Sequence, residues 1–221
     1  FLQNEGITTM TVSDASGFSP KTVATAADLV RVGELLMRDS LLSGIVSQKS
    51  ITIPGLGEVP STNIILGNDV VGIKTGNTDE AGGCFVIAVK HEVAGQAVLI
   101  VAAVMGAEDV RTAIAQAQRI ALDARSGFGE REIVTKGATV AEYRVPWGEP
   151  VHAVAGSSLR TVSWLPARPE PEAHLDSITA GKTNGQTVGT VSVPSGASVD
   201  VVLDGRVVSP PLAWRLYGRY T

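Results

Sequence analysis

Hydrophobic positions recur at helical spacing from Ala26 to Arg38, where Leu29, Val32, Leu36 and Met37 form one stripe. Thr25 precedes the stripe as an N-cap, and Asp28 stands three residues on as a shortened capping box. Phe1–Gly6 reads as the end of a helix stopped at the glycine, and 40–48 as a second, shorter helix. The stretch 50–60, with Ile51, Ile53 and glycines around Leu56, reads as a small hairpin. Val70, Val71 and Ile73 open a strand, Cys84–Val89 form the next, and Val98–Met105 a third. A turn is expected over His91–Gln96. The nearly unbroken apolar runs predict interior strands covered on both faces. A helix is predicted from about Ala107 to Ala124, with Ile114, Ala117, Ala121 and Ala124 on one face and Glu108 and Asp109 at its positive N-terminal end.

After 126–129 the texture changes. Short valine- and threonine-rich runs (Ile133–Val134, Val151–Val154, Thr187–Val193, Val199–Leu203) alternate with glycine and proline, as in a small β-sandwich. Asp204-Gly205 between apolar residues predicts a tight hairpin, and Ala167–Pro171 a loop. The pattern gives an α+β chain: helices packed on an antiparallel sheet over 1–126, a β-sandwich-like domain over 127–208, and a tail over 209–221. The tail mixes Trp214, Tyr217 and Tyr220 with Arg215 and Arg219, which suits a packed or frayed terminus or contact with a membrane interface.

The 221 residues, 44% hydrophobic and 18% charged, describe a globular chain, and the net charge of −4 with no basic run argues against nucleic-acid binding. The single cysteine, Cys84, excludes an internal disulfide and reads as a small buried hydrophobe. The chain starts at Phe1 and carries neither a secretory signal nor an apolar run long enough to span a membrane, as expected of part of a longer or processed protein.

The chemistry concentrates in Gly72–Gly82, where Lys74-Thr75-Gly76 follows an apolar lead-in. An acyl-transfer site needs an activated hydroxyl, a proton shuttle, an oxyanion hole and a grip on the substrate. The Lys74 ammonium supplies positive charge beside a nucleophile and favours the neutral form of a neighbouring amine. The Thr75 hydroxyl suits a peptide's terminal carboxylate. Gly76 lets an extended peptide lie against the strand, and the Asn77 backbone N–H suits an oxyanion. The competing reading is a strand-to-turn junction with a solvated Lys74.

The stretch from about Val12 to Phe128 resembles the second half of the peptidase domain of serine-type D-alanyl-D-alanine carboxypeptidases, the low-molecular-weight penicillin-binding proteins. Four pieces match in order: Asp14-Ala15-Ser16-Gly17-Phe18-Ser19, Thr25-Ala26-Ala27-Asp28-Leu29, Gly72–Gly82, and Ala103-Val104-Met105-Gly106 before a helix. Residues from about Gly129 to Val208 resemble, more loosely, the small β-rich domain that follows in many members. The resemblance implies a peptidoglycan stem peptide as substrate, acylation by β-lactam antibiotics, an extracytoplasmic place at the cell envelope, and no cofactor. Arg111 stands near the place of an arginine that helps hold the substrate carboxylate in relatives, against the plainer reading of a solvated helix arginine. The family's nucleophile lies in a Ser-x-x-Lys motif, which is absent from these residues, so no catalytic residue is assigned here. The resemblance places it on an upstream segment of the same protein, without which 1–125 cannot bury their full core. Ser61-Thr62-Asn63 spells the family's middle motif but stands on the wrong side of the Asp14 turn, and reads as a polar turn after Pro60.

Other signals are weaker. Gly181-Lys182-Thr183 lacks the first glycine of a phosphate-binding loop, since Asp176 occupies that place. His91, His152 and His174 lack metal-ligand spacing, and Glu170 and Glu172 flank Pro171 as solvated charge. Two alternatives to the peptidase reading stay open: a non-catalytic envelope module that binds peptide, and a β-lactamase-like hydrolase.

Overall fold

The computed structural model describes residues 1–217, and the chain divides into two compact units, Phe1–Gly127 and Phe128–Thr221. In the first, a short 3-10 helix, Leu2–Glu5, ends at Gly6, whose φ of 74° is the left-handed conformation glycine adopts without strain. Helix α1 (Ala26–Arg38) begins at the expected capping box: Thr25 Oγ1 accepts from Asp28 N at 3.1 Å, and Asp28 Oδ2 accepts from Thr25 N at 2.9 Å. Asp28 is buried, and the Thr9 hydroxyl lies 2.8 and 2.7 Å from its two oxygens. Helix α2 (Ser40–Val46) is capped by Asp39, whose Oδ1 accepts from the Leu41 and Leu42 N–H groups. Strands β1 (Ser50–Ile53) and β2 (Gly57–Pro60) form the predicted hairpin.

Strands β3 (Val70–Thr78), β4 (Gly82–Val93) and β5 (Gln96–Ala107) make one antiparallel sheet in the order β3-β4-β5. Successive strand residues point to opposite faces. Ile87, Ala88 and Val89 are 0, 0 and 2% exposed, so β4 is covered on both sides. Strand β5, the other run of this kind, is an edge strand among the described residues. The turn is also shorter than the one expected over His91–Gln96. Val93 pairs with Gln96, and only Ala94 and Gly95 (φ 50° and 77°) make the corner, with the paired positive φ values of a two-residue hairpin. Helix α3 (Val110–Arg125) packs on β4 and β5 through Ala113, Ile114, Ala117 and Ala121. Small side chains on that face let the helix sit close to the sheet. Helix α1 also packs on β4 and β5, and α2 on β3.

The second unit holds β6 (Phe128–Val134), β7 (Thr139–Tyr143), β8 (Val151–Ala155), β9 (Leu159–Trp164), β10 (Glu172–Leu175), β11 (Thr187–Ser192) and β12 (Ser198–Asp204). They form a five-stranded sheet, β10-β11-β12-β8-β7, and a pair, β6-β9. Val151, Ala153, Leu159, Val188, Val191, Val201, Leu203 and Val207 form the core. The hairpin expected at Asp204-Gly205 does not form. Beyond Gly205 the chain bonds elsewhere: Val207 N donates to Lys182 O, and Val207 O accepts from Gly181 N, each at 2.9 Å. In the same loop Gly181 ends a turn, and Thr183 N donates to Gln186 Oε1. A terminal helix α4 (Leu212–Tyr217) places Trp214 on Trp147, ring centroids 4.4 Å apart, with Leu212 and Leu216 exposed. Residues 218–221 of the tail lie outside the described residues.

Candidate active site

Strand β3 sets the geometry of the Lys74-Thr75-Gly76 segment. It is an edge strand among the described residues, paired on one side with β4 through Ile73↔Ile87, Lys74↔Val86, Thr75↔Phe85, Gly76↔Cys84 and Asn77↔Gly83. Its opposite side offers backbone donors and acceptors along this stretch, the feature a peptide needs to add itself as a further strand.

Each side chain of the segment has a distinct setting. Lys74 is exposed, and its ammonium donates to the carbonyl of Thr75. Thr75 is 6% exposed, and its hydroxyl lies 2.6 Å from that of Thr62, which is itself exposed. Gly76 stands beside Cys84, and a Cβ built on it would lie 3.6 Å from Cys84 Cβ. Asn77 is exposed. Cys84 is half-buried rather than fully buried, and its Sγ lies 3.5 Å from Ala81 O and 3.8 Å from Gly82 O. Cys84 stands near the start of the central strand β4, close to the turn that leads in from β3.

Arg111 is brought to the same end of the sheet. Gly83 faces Asn77 in the β3–β4 register and lies directly against the start of α3. A Cβ on Gly83 would fall 2.0 Å from the carbonyl oxygen of Asp109. Asp109 caps α3, its Oδ1 accepting from Thr112 N at 2.7 Å, and Arg111 follows within the first turn, exposed. The Thr112 N–H bond first, with the Arg111 charge a smaller contribution, holds the Asp109 carboxyl below the usual carboxylate range. The acid at the α3 N-terminus is therefore ionised and occupied as a cap.

The loop before β3 is the feature that sequence reasoning left out of the site. Ser61-Thr62-Asn63 forms a turn: Ser61 Oγ accepts from Asn63 N at 3.2 Å, and Asn63 Oδ1 from Ile65 N at 3.4 Å. Ser61 N also donates to Lys49 O at 2.8 Å, so the backbone on both sides of Thr62 is tied down. Asn63 is 5% exposed, and its Nδ2 is buried without a hydrogen-bond partner among the described residues. Further along, Asp69 pairs with Arg125 at 2.8 Å, fastening the entry of β3 to the end of α3.

The Asp14-Ala15-Ser16-Gly17-Phe18-Ser19 segment is a turn built around one carboxylate. Asp14 accepts from the Ser16 hydroxyl, from Phe18 N at 3.2 Å, from Ser19 N at 3.3 Å and from Thr22 Oγ1 at 3.2 Å. Gly17 takes a φ of 74° at the bend, and a Thr11–Val23 bridge closes the base. Among the described residues no cluster of His, Cys, Asp and Glu is arranged to hold a metal ion.

No family model and no curated protein matches this sequence. Solved structures do match. Penicillin-binding protein 5 from Haemophilus influenzae superposes with a TM-score of 0.58 at 19% identity, over 94% of this chain and 64% of that one. A peptidoglycan synthesis regulatory factor, PBP3, from Streptococcus pneumoniae superposes with a TM-score of 0.55 at 22% identity, over 93% of this chain and 66% of that one. The chain thus spans about two thirds of the length of these structures, 64% and 66%. Its fold is the α+β fold of the penicillin-binding proteins.

Proposed function

We propose that this chain carries the substrate-holding strand of a serine D-alanyl-D-alanine carboxypeptidase, whose nucleophile and general base lie in a Ser-x-x-Lys motif outside these residues. The observation that carries the reading is the position of Lys74-Thr75-Gly76-Asn77 on an edge strand, in a fold shared with penicillin-binding proteins. The stem peptide of peptidoglycan lies along β3 beside Gly76. Its scissile carbonyl, between the last two D-alanines, meets the serine hydroxyl, and its oxygen accepts from the Asn77 N–H. Lys74 places its ammonium at the serine, stabilising charge that develops during attack. Thr75 and Arg111 receive the terminal carboxylate. D-alanine leaves with the proton taken from the serine, and water then hydrolyses the acyl-enzyme. A β-lactam acylates the same serine by ring opening.

The reading places the protein outside the cytoplasm, at the cell envelope. No helix among the described residues is long and apolar enough to cross a membrane. The tail is assigned to the membrane interface, where the exposed Leu212 and Leu216 would meet lipid. The test is labelling with a fluorescent penicillin. The full gene product is expected to label, and residues 1–221 alone are not. In the full product, Lys74→Ala is expected to slow acylation about 100-fold, the size of losing one preorganised electrostatic donor. Labelling of residues 1–221 by themselves would sink the assignment of the nucleophile, and a full product that never labels would leave the non-catalytic peptide-binding module.

A further inference from the structure

We propose that Thr62 is a specificity-determining residue, the outer hydroxyl of a Thr62–Thr75 pair that receives the substrate's terminal carboxylate. The inference rests on the carboxypeptidase reading given above and extends its site to a loop outside the Lys74–Asn77 strand.

Three observations carry it. The two hydroxyl oxygens lie 2.6 Å apart, a short contact even for O–H···O. The members of the pair differ in access: Thr75 is 6% exposed, whereas Thr62 is exposed. Thr62 is also held in place, because Ser61 N donates to Lys49 O at 2.8 Å and Asn63 N to Ser61 Oγ at 3.2 Å.

A threonine hydroxyl has one proton to donate and can accept as well. Within the pair only one of the two protons lies between the oxygens. Either oxygen can donate in this contact; with the buried Thr75 donating outward to Thr62, the proton of Thr62 is left free on the accessible side. The donor that meets an incoming anion first is then Thr62, and Thr75 takes part in the same carboxylate site through it, by polarising the bond. A carboxylate is the ligand class that gains most from such a charge-assisted contact. A carboxamide or ester in the same place carries no net charge and gains less.

The experiment uses the full gene product and two peptides ending in D-Ala-D-Ala, one with the free carboxylate and one with a terminal carboxamide. Thr62→Val keeps the shape and deletes the hydroxyl, while Thr62→Ser keeps it. Thr62→Val is expected to reduce the preference for carboxylate over carboxamide about 10- to 100-fold, chiefly through KM, as befits a hydrogen bond to a charged group. Thr62→Ser is expected to restore the preference to within about threefold, since the donor is retained. The double variant Thr62→Val/Thr75→Val is expected to lose less than the product of the single losses, because the two hydroxyls act as one unit. If Thr62→Val keeps the wild-type preference, or loses both peptides equally as a disturbed loop would, the inference is overturned. A wild-type protein that neither cleaves the peptides nor labels with penicillin overturns the carboxypeptidase reading instead, a result distinguishable from either.

Discussion

Asp14 shows how much one side chain organises here. Four donors converge on its carboxylate, and the Ser16 hydroxyl contributes most to lowering its pKa from the ordinary 3.8 to about 2. A carboxyl with a depressed folded-state pKa stabilises the fold at pH values above its unfolded pKa. That contribution is lost as pH falls from near 4 toward 2, with the carboxylate protonating and releasing its donors. Carbon-detected NMR titration of the Asp14 carboxyl is expected to show a midpoint well below 3.8. An ordinary midpoint would mean the turn does not hold this geometry in solution. The Asp28 carboxyl shifts in the same direction, held first by the Thr25 N–H and then by the Thr9 hydroxyl. Thr25→Ala is expected to cost about 1 kcal/mol, measurable by urea denaturation, because it removes the cap of α1.

At the level of elements, the critical contact is the one between β4 and the start of α3. Gly83 has no room for a side chain, since its Cβ would lie 2.0 Å from the Asp109 carbonyl oxygen and 2.2 Å from the carbonyl carbon. These are backbone atoms capped into a helix and cannot swing aside. Gly83→Ala must therefore push the α3 N-terminus, with Arg111, away from the Asn77 end of β3. The expected cost is about 3 kcal/mol or more, at the upper end of overpacking, and retention of wild-type stability and acylation rate would refute the contact. Local signals made several of these elements legible in advance. The capping box wrote α1 into the sequence, the alanine stripe wrote α3, and the apolar runs wrote β3, β4 and β5. Strands β7, β9 and β10 were harder to see, because Ala-Glu, Arg-Thr and Glu-Ala-His segments owe their strand state to partners across the sheet rather than to their own composition. Thr62 escaped for a related reason. Its link to Thr75 crosses 13 residues and a turn, so no spacing rule points to it, although Ser61-Thr62-Asn63 stood out as a motif.

The whole molecule is two cores in one chain, and their physics differs. The unit after Gly127 closes on itself: Val188 and Val201 are 0% exposed, Leu203 and Leu159 1%. The Phe1–Gly127 unit has a three-stranded sheet with β3 and β5 at its edges, and leaves Val12, Phe18, Val23, Leu41 and Ile45 more than half exposed. It exposes more large apolar side chains than the second unit does, so it is expected to unfold at the lower temperature. Separate cores imply separate transitions, because cooperativity follows contiguous packing. Calorimetry of residues 1–221 is expected to resolve two. Leu203→Ala opens a cavity in the second core and is expected to remove about 2–5 kcal/mol from that unit alone. The upper transition should move down while the lower one stays. A single transition, shifted as a whole by Leu203→Ala, would show that the two units stabilise each other. The site on β3 would then depend on the β-rich unit for its stability, and deleting residues 128–221 would weaken penicillin acylation of the full gene product in proportion. With independent cores, that deletion leaves the acylation rate unchanged, and the β-rich unit serves something other than the chemistry on β3.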